Sequence, residues 1–193
     1  MKLLQIDSSI LGDNSASRAL TRAIVGRLRK DRPDAEVTHV DLAAEELPHF
    51  SGRSLAQQNA EETARNVRAL EEFKAADVIV VGAPMYNFGI PSQLKAWIDR
   101  VVVAGQTFRY TAAGPEGLAG GKRVIVAVSR GGVYGANGAA DFVVPYLKQI
   151  FGFVGIKDLT FVRAEGLALS ADHRQAAMNS ALAVIEETLP KAA

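Results

Sequence analysis

The sequence predicts one α/β domain over residues 1–193: a five-stranded, doubly wound parallel sheet of order 2-1-3-4-5, with helices on both faces. Two observations support this prediction. Segments of strand length alternate with amphipathic segments of helix length along the whole chain. Two of the strand segments, Asp77–Gly82 and Arg123–Val128, are apolar after their first residue, which is typical of parallel strands covered on both faces.

The elements are predicted in order as follows. Strands are expected at Lys2–Asp7, Ala35–Asp41, Asp77–Gly82, Arg123–Val128 and Lys157–Ala164, and the second of these is the least apolar and suits an edge. Helices are expected over Ser17–Lys30, from Ser54 with Ala60, Ala64, Val67 and Leu70 on the buried face, from Pro91 to Val101, over Phe142–Phe151, and from Ser170 to about Leu189. Ser54 and Ser170 are predicted to cap two of these helices, and Pro91 suits the first turn of another.

The composition excludes several classes of function. With 22 Lys+Arg against 21 Asp+Glu, the net charge of +1 gives no electrostatic reason to expect nucleic acid or an anionic membrane as a partner. The absence of cysteine excludes disulfides, thiolate nucleophiles and thiolate-bound metals. His39, His49 and His173 are too scattered to predict a metal site. No apolar run suits a signal peptide or a membrane span, so a cytoplasmic protein is expected.

The first of three unusual loops follows the first predicted strand. It runs from Ser8 to Ser17, contains Ser9, Ser15 and Ser17, and leads into a helix. The unpaired N–H groups and the dipole of a helix amino end favour a phosphate, and serine hydroxyls add neutral donors. The alternative is that Ser17 only caps the helix. Neither the P-loop pattern nor the dinucleotide fingerprint is present.

The second and third loops follow the two apolar strands. Gly82–Pro91 is stiffened by prolines and displays Met85, Tyr86 and Phe88. A flat ring system would cover these side chains; the alternative is that the aromatic residues pack onto a neighbouring helix. Ser129–Gly135 carries paired glycines, which allow close approach of a ligand to the backbone, whose N–H groups could stabilise an anion; the alternative is a flexible turn.

One connection is longer than usual. Ala104–Gly121 exceeds an ordinary link between a helix and a strand, and it is predicted to be a lid or an interface. With the second loop, it places Tyr86, Phe88, Phe108 and Tyr110 outside the main core. These aromatic residues could form an apolar patch of the kind that marks an interaction surface.

Four segments of the chain resemble the FMN-dependent NADH:quinone oxidoreductases known as azoreductases, a branch of the flavodoxin-like proteins. The segments are LLQIDSS, APMYNFGIPSQLKAWIDR, TFRYTAAGPEGLAGGK and SRGGVYG. The resemblance implies bound FMN, with Ser9, Ser15, Ala16 and Ser17 at its phosphate. It also implies Met85, Tyr86, Asn87 and Phe88 against the isoalloxazine ring, and Ser129, Arg130, Gly131 and Gly132 at the pyrimidine edge.

The resemblance further implies a homodimer with substrate stacked on the flavin between subunits, where Tyr110 and Phe151 line the pocket. NADH, or NADPH, would supply electrons to quinones and azo compounds. No side chain is expected to act as a catalytic nucleophile, because the flavin performs the chemistry. The choice between NADH and NADPH stays open, because a phosphate of the donor could meet Arg53, Arg65 or Arg130. The alternative is that each of these arginines is a solvated surface charge. An electron carrier and a reductase of free flavin remain as alternatives, although the near-neutral charge and the long insert count against a carrier.

Overall fold

The computed structural model describes residues 1–135 and 138–188. Its main sheet contains five parallel strands in the order β2-β1-β3-β6-β7. Along the chain, β6 and β7 are the fourth and fifth strands of this sheet, so the predicted order 2-1-3-4-5 is confirmed. The strands are β1 (Lys2–Asp7), β2 (Glu36–Asp41), β3 (Val78–Pro84), β6 (Arg123–Ser129) and β7 (Asp158–Ala164). The exposed β2 lies at one edge, as its composition predicts.

The described residues form six α-helices, of which five lie between strands of the sheet and the sixth follows β7. They are α1 (Ala16–Asp31), α2 (Gly52–Leu55), α3 (Ala60–Ala75), α4 (Ser92–Val101), α5 (Val143–Phe153) and α6 (Ala171–Thr188), with a single 3₁₀ turn at Gly12–Asn14 before α1. The Ser170 hydroxyl accepts a hydrogen bond from the His173 N–H at 3.1 Å, which confirms the predicted cap of α6. The predicted stop at Leu189 and Pro190 lies outside the described residues. Within the described part of the chain, no helix is long and apolar enough to cross a bilayer.

The strands supply alternate residues to two hydrophobic cores. Ile79 and Val81 of β3 pack in one core with Trp97 of α4, whereas Val80 packs in the other with Ile24 of α1. The first core also contains residues of α3 and α5, and the second contains residues of α6. Burying each of these large apolar side chains stabilises the fold by about 1.5–3 kcal/mol. The two cores hold the central strands rigidly, so the loops after them start from fixed points.

The segment between β2 and β3 differs from the prediction. The expected single helix from Ser54 is two helices, because Ser51 and Ser54 form a capping box around the short α2 and Asn59 caps α3 separately. The buried residues of α3 are Ala69 and Phe73, so the predicted buried face is wrong. Of the residues predicted on that face, Leu70 is partly buried and three are exposed: Ala60, Ala64 and Val67. The helix turns a large aromatic residue inward, and this leaves Val67 on an open surface.

The long insert folds into a β-hairpin that the sequence analysis did not predict. Strands β4 (Phe108–Thr111) and β5 (Gly114–Gly117) pair antiparallel, outside the main sheet. The base of the hairpin crosses the end of α5 closely: a Cβ atom on Gly117 would lie 2.2 Å from the backbone N of Gly155. Only glycine fits at such a distance. The hairpin is therefore fixed to α5 at its base, while its tip extends into solvent.

Candidate active site

The three loops meet at one edge of the sheet. Because β1, β3 and β6 are adjacent parallel strands, their carboxyl ends lie side by side. The Ser8 hydroxyl donates to the Gly82 carbonyl at 2.6 Å, which joins β1 to the end of β3. The Met85 N–H donates to the Ser129 carbonyl at 2.9 Å, which joins β3 to the end of β6. The predicted convergence of the loops is thus present in the structure.

The first loop ends in a cluster of buried serines at the amino end of α1. Ser15 is the N-cap, since its hydroxyl accepts from the Arg18 N–H at 3.2 Å. The alternative that Ser17 only caps this helix is therefore wrong. The Ser17 hydroxyl instead lies 3.1 Å from the Ser15 hydroxyl. The N–H groups of Ala16 and Ser17 fall in the first turn, where a helix offers no internal acceptor. This end of α1 consequently presents neutral donors together with the positive end of the helix dipole.

Ser9 connects the first loop to the second. Its buried hydroxyl lies 3.2 Å from the Tyr86 hydroxyl and accepts from the Leu11 N–H at 3.3 Å. The Tyr86 oxygen also accepts from the Ile10 N–H at 3.2 Å. When Tyr86 donates its proton to Ser9, the Ser9 proton is free to bind an anion. The arrangement therefore suits a phosphate beside Ser9.

The second loop makes a tight turn with unusual backbone angles. Tyr86 and Gly89 exchange two backbone hydrogen bonds of 3.0 Å, and the two residues between them have φ of 48° (Asn87) and 69° (Phe88). Positive φ is common for asparagine but costs energy for a bulky side chain such as that of Phe88. The turn leaves the Phe88 side chain 51% exposed, with Asn87 also exposed. Strain of this kind is concentrated at ligand sites in proteins.

The third loop is held by a buried arginine. Arg130 donates to Asp141 and to Glu165, each at 2.5 Å, and its side chain is fully buried. The Glu165 carboxylate also accepts from the Gly135 N–H at 3.1 Å. Arg130 is therefore neither a solvated surface charge nor free to bind a phosphate of the donor, because its buried guanidinium pairs with two carboxylates. Its ion pairs fix the backbone of the loop instead.

Gly131 and Gly132 lie close to neighbouring side chains, and neither adopts a left-handed conformation. A Cβ atom on Gly131 would lie 3.3 Å from that of Ala168, and one on Gly132 would lie 3.3 Å from the Tyr134 ring. Both glycine carbonyls accept backbone bonds from the turn after β7, at 3.0 Å from Ala168 and 2.9 Å from Gly166. The loop is therefore an ordered segment, and the alternative of a flexible turn is not supported.

The structure separates the two aromatic residues expected to line the substrate pocket. Tyr110, on the hairpin, is 75% exposed, whereas Phe151 is 2% exposed and packs in the first core. Phe151 is a core residue, so the expectation that it lines the pocket is corrected. The aromatic residue of α5 that reaches the hairpin is Phe153, whose ring centroid lies 4.6 Å from that of Phe108. Phe153 was not predicted from the sequence, because side chains two residues apart on a helix point in nearly opposite directions.

The donor groups of the site fit a flavin mononucleotide. The phosphate end offers hydroxyls of Ser9, Ser15 and Ser17 and unpaired helix N–H groups, all neutral donors suited to a dianion. The exposed aromatic turn offers a surface for a planar ring. The glycine pair at the third loop allows close approach of the ring edge.

A flavodoxin-like fold is the class that this sheet and these loops define, and the family described by that fold matches residues 1–189. Two curated relatives are similar over nearly their whole length. The chain is 55% identical to FMN-dependent NADH:quinone oxidoreductase 1 of Xanthomonas axonopodis pv. citri (strain 306), covering 97% of this chain and 96% of that protein. It is 56% identical to FMN-dependent NADH:quinone oxidoreductase of Rhizobium meliloti (strain 1021), with the same coverage of 97% and 96%.

Solved structures agree with these relatives. Azoreductase from Bacillus anthracis str. Sterne superposes with a TM-score of 0.88 at 28% identity, covering 97% of this chain and 98% of that one. An FMN-dependent NADH-azoreductase from Bacillus anthracis str. Ames Ancestor, solved in complex with FMN, gives 0.85 at 27% identity, with coverage of 98% and 99%. The chain belongs to the family of FMN-dependent NADH:quinone oxidoreductases.

Proposed function

We propose that this enzyme binds FMN and uses electrons from NADH to reduce quinones to hydroquinones and to cleave aromatic azo compounds. The observation that carries the proposal is the joining of the three loops at one sheet edge, through Ser9 and Tyr86 on one side and Met85 and Ser129 on the other. Relatives more than 50% identical are named FMN-dependent NADH:quinone oxidoreductases, and solved structures 27–28% identical are named azoreductases. The choice of NADH over NADPH rests on those names, because Arg130 is occupied by carboxylates.

The residues of the three loops would hold the cofactor in the order that the resemblance implies. Ser9, Ser15, Ala16 and Ser17 would bind the phosphate, the turn from Met85 to Phe88 would cover one face of the ring, and the loop from Ser129 to Gly132 would contact the pyrimidine edge. When bound, FMN supplies the transfer of hydride equivalents between donor and acceptor. Backbone N–H groups of the glycine loop would stabilise negative charge at the ring edge. No side chain is required as a nucleophile.

We infer that the donor and the acceptor use one position in turn. The aromatic turn would cover one face of the ring, so a single face would remain open to both molecules. NAD⁺ would then have to leave before a quinone or azo compound could enter. This order corresponds to a ping-pong mechanism. Tyr110, exposed near the tip of the hairpin, would contact the acceptor.

We further propose a homodimer in which a second copy of this chain covers an apolar groove. The groove has a volume of about 710 Å³ and is lined by residues of α2, α3, α4, α5 and the hairpin. Its exposed apolar residues include Phe50, Leu55 and Val67, and Phe108 at the base of the hairpin also lines it. An exposed apolar surface of this kind marks an interface, and two-fold pairing is the commonest way to cover one. Continuity with the hairpin would bring the partner close to Tyr110.

A steady-state assay that compares acceptors tests the proposed function. Purified protein is supplied with NADH and, separately, a quinone, an azo dye or free FMN, in the absence of oxygen. We expect the quinone and the dye to be reduced by protein with bound flavin, and the released flavin to be FMN rather than FAD. Reduction of free FMN alone would favour the flavin-reductase alternative. Failure to oxidise NADH with any acceptor, by protein that holds FMN, would favour an electron carrier.

A further inference from the structure

Arg18 lies beneath the first loop and holds it to the edge strand. Its Nε and Nη2 atoms donate to the Ser9 carbonyl at 3.1 and 2.7 Å. The same guanidinium donates to both carboxylate oxygens of Asp41, each at 2.6 Å. Arg18 is 8% exposed and stands in the first turn of α1, whereas Asp41 is the last residue of β2. The guanidinium thus joins three separate segments.

The peptide group between Ser9 and Ile10 is held from both sides. In a trans peptide the C=O and the N–H point in opposite directions. Arg18 binds the carbonyl of this group, and the Tyr86 hydroxyl accepts from its N–H at 3.2 Å. Rotation of the peptide would break both sets of bonds, and it would remove the N–H group that holds the Tyr86 hydroxyl 3.2 Å from the Ser9 hydroxyl. The direction of the Ser9 hydroxyl therefore depends on Arg18.

The contribution of Arg18 is geometric, because its charge is already balanced. Asp41 accepts from the Ala43 N–H at 3.0 Å as well as from Arg18. The hydrogen bond from Arg18 holds the pKa of Asp41 below its ordinary value despite partial burial, so the pair stays ionised at neutral pH. A lysine at this position would keep the positive charge but could not bind two carboxylate oxygens and a carbonyl in one plane.

We propose that Arg18, oriented by Asp41, is a positioning residue that aims the Ser9 hydroxyl at the phosphate of the flavin and so sets the preference for FMN over riboflavin. The inference rests on the proposed function, since it assumes that Ser9 binds the FMN phosphate. Riboflavin carries the same ring without the phosphate, so it lacks the group that the Ser9 hydroxyl would bind. The ratio of the two dissociation constants isolates the contribution of the phosphate.

The test measures that ratio for the full-length chain freed of flavin. Binding of FMN and of riboflavin is followed by quenching of flavin fluorescence in the wild type, Arg18→Lys and Arg18→Gln, after circular dichroism has shown that each protein is folded. We expect both variants to bind FMN roughly ten- to a hundredfold more weakly, the loss typical of a hydrogen bond to a charged group. Riboflavin binding should change by less than about twofold, because no phosphate contact is involved. If Arg18→Gln does not fold, Arg18→Lys carries the test.

Arg27→Gln is the matched control. Arg27 is also 8% exposed, lies on α1, and pairs with Asp31 at 2.6 Å, but it is remote from the first loop. This variant should lose stability and keep the wild-type ratio. A wild-type ratio in Arg18→Lys, or an equal loss of both flavins, would overturn the inference and leave the proposed function intact. A wild type that does not prefer FMN to riboflavin would contradict the proposed phosphate site itself.

Discussion

The hydroxyl groups of Ser9 and Tyr86 lie 3.2 Å apart, although the two residues are separated by 77 positions in the sequence. The contact joins the serine loop after β1 to the aromatic turn after β3. It therefore connects the part of the proposed site that would bind a phosphate with the part that would cover a ring. Each loop alone has an ordinary explanation, and their connection places the two parts of the proposed site side by side.

Removal of the Tyr86 hydroxyl tests this connection. Tyr86→Phe keeps the ring and loses the bonds to Ser9 and to the Ile10 N–H. Each such bond contributes about 0.5–1.5 kcal/mol, so we expect FMN to bind roughly three- to tenfold more weakly. Fluorescence quenching measures the dissociation constant. Unchanged affinity in a folded variant would show that the two loops act independently.

Ser15 and Ser17 should differ in what they stabilise. Ser15→Ala removes the cap of α1, so we expect a loss of about 0.5–2 kcal/mol in the free energy of unfolding, together with weaker FMN binding. Ser17→Ala removes no cap, and it should weaken FMN binding with a smaller effect on stability. Urea denaturation of the flavin-free protein and FMN titration provide the two measurements. The prediction is wrong if Ser17→Ala destabilises the protein as much as Ser15→Ala does.

The fold was predictable from the sequence where the spacing of apolar residues matches their burial in the core. The apolar strands β3 and β6 lie at the centre of the sheet, as their composition requires. The face of α3 was not predictable in the same way, because Val67 belongs to an apolar groove on the surface while Phe73 fills the core. Apolar spacing alone cannot distinguish a residue that packs in a core from one that lines an exposed groove.

The site was predictable where backbone and residue type decide the chemistry, as in the serine and glycine loops. The supporting ion pairs were not, because they join distant segments. Nothing in the sequence links Arg18 to Asp41, or Arg130 to Glu165, until the sheet brings their loops together. The hairpin was missed for a local reason, since Gly114–Gly117 contains a proline and two glycines and has little strand propensity.

Arg130 should be among the most important residues for stability. Arg130→Met would leave Asp141 and Glu165 without their partner, and breaking a buried ion pair costs about 3–5 kcal/mol. We expect a loss of that size in the free energy of unfolding by urea. Arg109→Met, which removes an exposed pair with Glu116, is the control and should cause no measurable change. Equal stability of the two variants would show that Arg130 does not hold the third loop.

The proposed dimer can be disrupted at the apolar groove. Wild-type protein should sediment as a dimer at micromolar concentration, and Val67→Glu should shift it towards the monomer, because a charge would be buried at the interface. Leu182→Glu, on α6 and outside the groove, is the control and should remain dimeric. A wild-type monomer with full activity would contradict both the dimer and a site shared between subunits.

The most direct test of the proposed mechanism is whether electrons are transferred in two separate half-reactions. Purified protein with bound FMN is mixed with NADH under anaerobic conditions in a stopped-flow spectrophotometer, freed of nucleotide, and then mixed with a quinone. We predict that NADH bleaches the visible absorbance of the flavin at least as fast as steady-state turnover, and that the quinone restores it without any NAD⁺ present. Bleaching slower than turnover, or restoration only while nucleotide remains bound, would contradict the proposed mechanism.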